Sequence, residues 1–431
     1  MKEYMKYTKE MLEFIEKSPS CYHAIDNVQK SLVKQGFLAL EEKADWQLEA
    51  GKGYYVVRND SSLIAFKMPD AEAIKGYHIV ATHSDSPTFK VKEAPEMVVE
   101  EHYVKLNTEK YGGMILSTWL DRALSVAGRL AVYDEEEKVI STKLVNIDKD
   151  LLVIPNLAIH MNRDMNKGVE YNPQIDMLPL FADAKESKGK GALLKKLAKE
   201  ADVKPSDILG QDLFLYVREK GMLIGEKGEF VLSPRLDDLQ CVYAAVKAFS
   251  EALPKEYINI CAVFDNEEVG SATAQGADST FLEDVLWRIA EGLKVSKTTY
   301  LQWLADSFLI SADNAHAVHP NHPEKADPTN RPHLNGGIVI KYHGGQRYMT
   351  DAVSAARMKQ LCRQAGVPFQ TYANRSDVAG GSTLGNIATS HVSISGVDIG
   401  LPQLAMHSAV ETAGAKDTAY AVKVFEEFWK E

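Results

Sequence analysis

Near-continuous apolar runs alternating with amphipathic helical stretches constrain this chain more than any other feature. The runs are 77–82 (YHIVAT), 257–264 (YINICAVF), 307–312 (SFLISA), 337–342 (GIVIKY) and 392–397 (VSISGV). A strand exposed on one face would alternate apolar with polar residues, whereas these runs do not, so both of their faces must be covered. Helical patterns at 239–253, 280–293, 351–366 and 417–430 supply the cover. The pattern predicts an α/β domain with a parallel or mixed sheet between helical layers. Two further amphipathic helices are expected at 4–17 and 22–34, separated by Ser-Pro-Ser at 18–20, with Ser20 as an N-cap candidate.

The middle of the chain reads differently. Residues 92–232 hold short strand patterns at 97–105, 138–147 and 211–217 and few long helices. The Lys- and Gly-rich stretch 185–200 (KESKGKGALLKKLAKE) reads as an exposed loop leading into a helix. The expected organisation is therefore an α/β domain built from 1–91 plus 233–431, interrupted by a mostly-β domain at 92–232. No solenoid-length repeat or low-complexity tract interrupts this scheme.

Composition narrows the function. With 431 residues, 45% of them hydrophobic, the chain can bury a large core and is not intrinsically disordered. Its net charge of -11 and lack of a basic block argue against general nucleic-acid binding. No run reaches the roughly 18 apolar residues of a membrane span, and the charged start MKEYMKYTKEMLEF lacks the apolar core of a signal peptide. Cys21, Cys241, Cys261 and Cys362 form no close pair, which fits a reducing cytoplasm better than a disulfide scaffold or a Cys-rich zinc site.

Five segments place possible metal ligands at the edge of a predicted element. His83-Ser84-Asp85 follows the first run, and Asp237-Asp238 opens the helix at 239. Asp265-Asn266-Glu267-Glu268 follows the second run, Asp313 follows the third, and His407 comes shortly after the last. Ligands of open α/β sheets collect at the carboxyl ends of strands. The His-x-Asp spacing lets a carboxylate orient a ligating imidazole. Two neutral His, two Asp and one Glu carry three negative charges, which two divalent cations and one hydroxide balance. Mixed nitrogen and oxygen ligation suits Zn²⁺, with Mn²⁺ or Co²⁺ as alternatives. Two such ions activate water and polarise a carbonyl together, and of Glu267 and Glu268 one can serve as base and the other as ligand. Taken singly, each element has a plainer reading. The His-Asp pair can be a simple hydrogen bond, Asp237 a helix N-cap, the Glu pair a solvated loop end, and His407 a core histidine. A run of histidines at His316, His319, His322 and His333 offers a rival metal site, but it lacks a Cys or carboxylate partner.

These segments, in this order, resemble the aspartyl aminopeptidase family of dinuclear metallopeptidases. The matching stretches are SPSCYHA (18–24), HSDSP (83–87), RLDD (235–238), DNEEVGS (265–271), SADNAHAVHPN (311–321), IVIKY with QRY (338–348) and PQLAMHS (402–408). The resemblance implies a phosphorylase/hydrolase-like three-layer catalytic domain with the insertion serving oligomerisation. It implies that Asp237 bridges two metals, that His83 and Asp313 complete one site and Glu268 and His407 the other, that Glu267 is the general base, and that Asp85 orients His83. It also implies a cytoplasmic homo-oligomer, a tetrahedral dodecamer enclosing its active sites, with His160 contributed near a neighbouring subunit's site. The family removes N-terminal Asp or Glu from peptides, and Lys341, with Tyr348 nearby, matches the cation that an acidic side chain requires. The stretches His343-Gly344-Gly345 and HSAVETAG (407–414) depart from the animal pattern around this pocket. Two other readings remain at this stage: a metal-dependent deacylase or carboxypeptidase, for which Arg235 and Arg347 are available, and a non-catalytic self-assembling scaffold.

Overall fold

The computed structural model describes residues 3–71, 73–187 and 191–431. The chain forms two compact units, one made of 1–85, 221–406 and 411–431 and the other of 86–220 and 407–410. Both cuts fall earlier than the boundaries read from the sequence. At the second cut the reason is strand pairing. Met222–Ile224 and Phe230–Ser233 join a five-stranded sheet through Glu411–Gly414 and so belong to the first unit.

A nine-stranded mixed sheet runs through the first unit. Its order is Leu38–Leu40, Gly53–Arg58, Ser62–Lys67, Tyr257–Phe264, Gly76–His83, Phe308–Ala312, Ser395–Gly400, Ile338–Tyr342 and Phe369–Ala373. Its central strands explain the continuous apolar runs. Val80, Cys261, Val263 and Ile310 pack into one core with the helices Glu3–Glu16, Cys21–Lys34, Leu236–Glu251, Ala352–Gln364 and Asp417–Phe428. Ile79, Ala81, Ile260, Ala262 and Leu309 point the other way, into a second core with Phe281–Gly292, Lys297–Asp306 and Leu384–His391. Successive residues thus feed opposite layers, giving the three-layer arrangement. Each fully buried large apolar side chain contributes about 1.5–3 kcal/mol to holding the sheet between its helical layers.

Two expectations shift. The last apolar run was placed at 392–397, but the strand is Ser395–Gly400, because Val392 and Ile394 instead bury beneath the end of the preceding helix in the second core. The stretch 97–105, read as one strand, contains a hairpin turn between Thr88–Val99 and Tyr103–Tyr111. Glu100 and Glu101 both have positive φ there, a turn conformation normally signalled by Asn or Gly. Ser20 does occupy the N-cap position, yet its hydroxyl pairs with His23 Nδ1 at 2.8 Å and makes no capping bond.

The second unit is built on a six-stranded antiparallel sheet whose edge strand, Val139–Asn146, is mostly exposed. Within the 185–200 stretch a helix forms at Ala192–Ala201, and the loop residues 188–190 lie outside the described residues. Among the described residues no helix is long and apolar enough to cross a membrane.

The turn leading into Ile338–Tyr342 is held by Asp417, whose carboxylate accepts from Asn335 N–H (2.7 Å) and Gly337 N–H (3.0 Å). Burial pushes its carboxyl up to about 7, against those two N–H donors. A raised carboxyl favours the protonated folded state, so its stabilising contribution is full below about pH 4 and is lost as pH rises through 7. Asp417→Asn does not titrate. The stability difference, wild type minus Asp417→Asn, should therefore fall between pH 4 and 7 in denaturant melts, and a pH-independent difference would refute this.

Candidate metal centre

Three adjacent parallel strands deliver the site. Gly76–His83 lies between Tyr257–Phe264 and Phe308–Ala312, with His83 in register with Phe264. His83 therefore ends the middle strand, Asp265–Glu268 follow one neighbour and Asp313 follows the other. The fourth contributor comes from the start of Leu236–Glu251. There Arg235 is left-handed, and Asp237 and Asp238 have non-helical angles. Asp237 is not the N-cap of that helix. Its N–H donates to Glu411 Oε2 at 3.0 Å, and its carboxylate faces His83.

His83 Nε2 is 3.5 Å from Asp237 Oδ1 and 3.9 Å from Asp313 Oδ1. His83 Nδ1 lies 3.1 Å from the Asp85 carbonyl and 3.3 Å from its carboxylate, which is the orienting contact a ligating imidazole needs. Asp85 has a second task that the sequence did not suggest. Its two carboxylate oxygens accept the N–H groups of Glu267 and Glu268, each at 3.2 Å. One side chain thus fixes both the imidazole and the short turn Glu267–Val269. Ligand atoms of His83, Asp237, Asp238 and Asp313 fall within 4.8 Å of one another, as do those of His83, Glu267 and Glu268. Those of Asp237 and Glu268 are equally close, so Asp237 is common to a His83/Asp313 side and a Glu268 side.

The electrostatics show what this cluster lacks. Burial pushes Glu267 up to about 8, with His83 opposing the rise and Asp313 and Asp85 adding to it. Burial and the neighbouring Asp237 raise Glu268, and burial with Asp313 and Asp237 raises Asp238. Burial disfavours the His83 imidazolium, yet hydrogen bonds to Asp237, Asp313 and Asp85 outweigh it and hold His83 well above its ordinary value. Crowded buried carboxylates and a proton-retaining imidazole are relieved together by a divalent cation. The donor set fits such an ion and fits Zn²⁺ in its nitrogen/oxygen mixture.

Lys341 is 3% exposed, and its Nζ lies 3.7 Å from Asp313 Oδ2 and 5.6 Å from the centre of the Tyr348 ring. Burial works against its charge, but Asp313, Tyr348 and Asp398 together keep the ammonium above the usual lysine range. His407 belongs to the second unit, where Nδ1 is 2.6 Å from the Gly113 carbonyl. A proton shared there leaves the lone pair on Nε2, the tautomer of a metal-ligating histidine. His160, in the same unit, is exposed. The rival histidines His316, His319, His322 and His333 are all exposed and belong to none of the candidate metal groups among the described residues.

Several supporting residues escaped sequence reasoning. Asp238 accepts the His83 N–H at 3.2 Å. Asn314 donates to the Leu236 carbonyl (3.0 Å), Gln240 (3.2 Å) and Gln403 (2.9 Å), tying the residue after Asp313 to the one before Asp237. Only their position beside a ligand marked them.

Comparison with known proteins points the same way. Residues 14–429 match the family described as aminopeptidase I zinc metalloprotease (M18). A probable M18 family aminopeptidase 2 of Clostridium novyi is 49% identical over the whole of both chains, and one of Clostridium acetobutylicum is 48% identical, also over both whole chains. Among solved structures, a chain in the complex of Ape4 and Nbr1 is 37% identical with a TM-score of 0.96, covering 100% of this chain and 87% of that one. The mApe1 dodecamer of S. cerevisiae is 29% identical with a TM-score of 0.85, covering 99% and 97%.

Proposed function

Because the chain belongs to the M18 family of zinc aminopeptidases, we propose that it removes N-terminal residues, acidic ones by preference, from peptides with two divalent cations held by His83, Asp237, Glu268, Asp313 and His407. The observation that carries this reading is the sharing of Asp237 between the His83/Asp313 and Glu268 groupings. When bound, the cations acidify a water and polarise the scissile carbonyl. The protein's own residues do the rest. Glu267 takes the water proton on a carboxylate oxygen and returns it to the leaving amine. Asp85 holds Glu267 by its N–H and His83 by Nδ1, so base and ligand keep a fixed relation. Lys341, buried beside Asp313 with Tyr348 over its ammonium, receives the carboxylate of an acidic first residue.

We further propose a cytoplasmic homo-oligomer, a dodecamer like the S. cerevisiae relative. In support, the second unit exposes large apolar side chains, among them Ile140 (65%), Met161 (74%) and Ile175 (70%). His160 adjoins Met161 and would be donated to a neighbouring subunit's site. All four cysteines are buried and in no disulfide, in keeping with a reducing compartment.

The test is a panel of Asp-, Glu-, Ala-, Leu- and Lys-p-nitroanilides, run on chelator-stripped protein before and after adding Zn²⁺, Mn²⁺ or Co²⁺. Metal-restored cleavage favouring Asp and Glu is expected. A charge-assisted contact to Lys341 is worth about 1.5–3 kcal/mol, so Lys341→Met should cut kcat/KM for acidic substrates about 10- to 100-fold more than for Ala. An equal loss on both would remove Lys341 from substrate recognition, and no cleavage with any metal would overturn the peptidase reading.

A further inference from the structure

Asp398, so far met only as one of the anions beside Lys341, is fully buried (0% exposed) in the strand beside the site. Its neighbours on either side are the strands that lead to Asp313 and carry Lys341. Asp398 is in register with Ser311 on one side, and Ile399 is paired with Ile340 on the other. The antiparallel ladder thus sets Lys341 across from Asp398.

Its hydrogen bonds reach segments that have no regular structure to hold them. Oδ2 accepts the Met349 N–H at 2.6 Å, and Oδ1 accepts the Thr383 hydroxyl at 2.6 Å. The Asp398 N–H donates to Thr350 Oγ1 at 2.9 Å. Two of these three bonds grip the residues directly after Tyr348. The third anchors the N-cap residue of Leu384–His391. Steric fit adds to the grip. A Cβ on Gly396 would lie 2.6 Å from the Leu309 carbonyl oxygen and 2.7 Å from the Met349 methyl, so glycine there leaves room for the neighbouring strand and for Met349 beside it. A Cβ on Gly385 would meet Asp398 Oδ1 at 2.6 Å.

We propose that Asp398 is a positioning residue for first-residue specificity, holding Met349 and Thr350 so that Tyr348 stays over the Lys341 ammonium. This rests on the reading of Lys341 and Tyr348 as the wall that meets the substrate's first side chain. Asp398 itself touches no substrate. It acts by keeping that wall in one geometry, and a charge-assisted hydrogen bond inside a buried site is strong enough to do so.

The test compares Asp398→Asn and Thr383→Val with wild type, each metal-loaded, on Asp- and Ala-p-nitroanilide, with metal content and melting temperature measured in parallel. Asp398→Asn loses an acceptor for one of two donors, and the kcat/KM ratio of Asp over Ala should fall about tenfold through KM with metal content unchanged. Thr383→Val removes one tether and leaves every charge in place, so the ratio should fall in the same direction by about threefold to fivefold. It also decides the matter if Asp398→Asn does not fold. A parallel drop in kcat on both substrates would make Asp398 a stability residue only. A shift in Asp398→Asn without one in Thr383→Val would assign the effect to charge and overturn positioning. Should wild type favour some other first residue, the acidic reading fails alone, and the same ratio for the favoured residue over Ala tests Asp398.

Discussion

Asp237→Ala is expected to lose bound metal and turnover together. Its carboxylate is common to both groupings, lying 3.5 Å from His83 Nε2 and within 4.8 Å of a Glu268 oxygen. On the proposed assignment, removing it would take one ligand from each ion at once, leaving His83 and Asp313 to one and Glu268 and His407 to the other. Atomic emission on dialysed protein should show less than half the wild-type metal, with activity down by at least about 10⁴-fold, in the range of losses seen when a catalytic unit is dismantled. The melting temperature should also stop responding to added Zn²⁺, because an ion stabilises a fold only as far as it binds the native state. Wild-type metal stoichiometry in the variant would refute the bridging role.

Glu267→Gln should behave in the opposite way on one readout. The amide keeps the shape of the side chain, and its backbone N–H still reaches Asp85. Metal content and melting temperature should therefore stay near wild type while kcat falls about 10²- to 10⁴-fold, the usual worth of a general base. KM should change little, since a general base handles a proton and not the binding of substrate. Substantial activity in a metal-replete Glu267→Gln protein would return the base to its neighbour Glu268. The pair of variants together separates holding an ion from using one.

The parts of this site legible in the sequence were those in which residue type and local position coincide. His83, Asp313 and the Glu267-Glu268 pair each follow a run too apolar to be anything but a doubly covered strand, so their place at a carboxyl edge could be read directly. Strand order could not be read. That His83 lies between the other two depends on pairings between segments about 180 residues apart in the chain, as Val80 with Cys261 illustrates. For the same reason the double grip of Asp85 was half seen. Its link to His83 is local, whereas its link to Glu267 and Glu268 crosses the sheet. Asp398 was missed, and Asn314 and Asp238 were seen only as neighbours of ligands, because a buried polar residue looks, in sequence, like any polar residue on a strand or helix end. The turn at Glu100-Glu101 was missed because its residues are unusual for the backbone they adopt.

The way Asp237, His83, Glu268 and Asp313 are gathered also sets when metal can act. Each comes from a different segment, and they meet only after the three central strands have paired in full register. A refolding chain therefore has no assembled site to offer until the slow, long-range part of folding is complete. Ions bound at the proposed site would act on the native state and leave the transition state largely untouched, so they should slow unfolding far more than they hasten folding. Metal bound as proposed would therefore be a brake on the way out of the native state, governing lifetime more than speed of assembly.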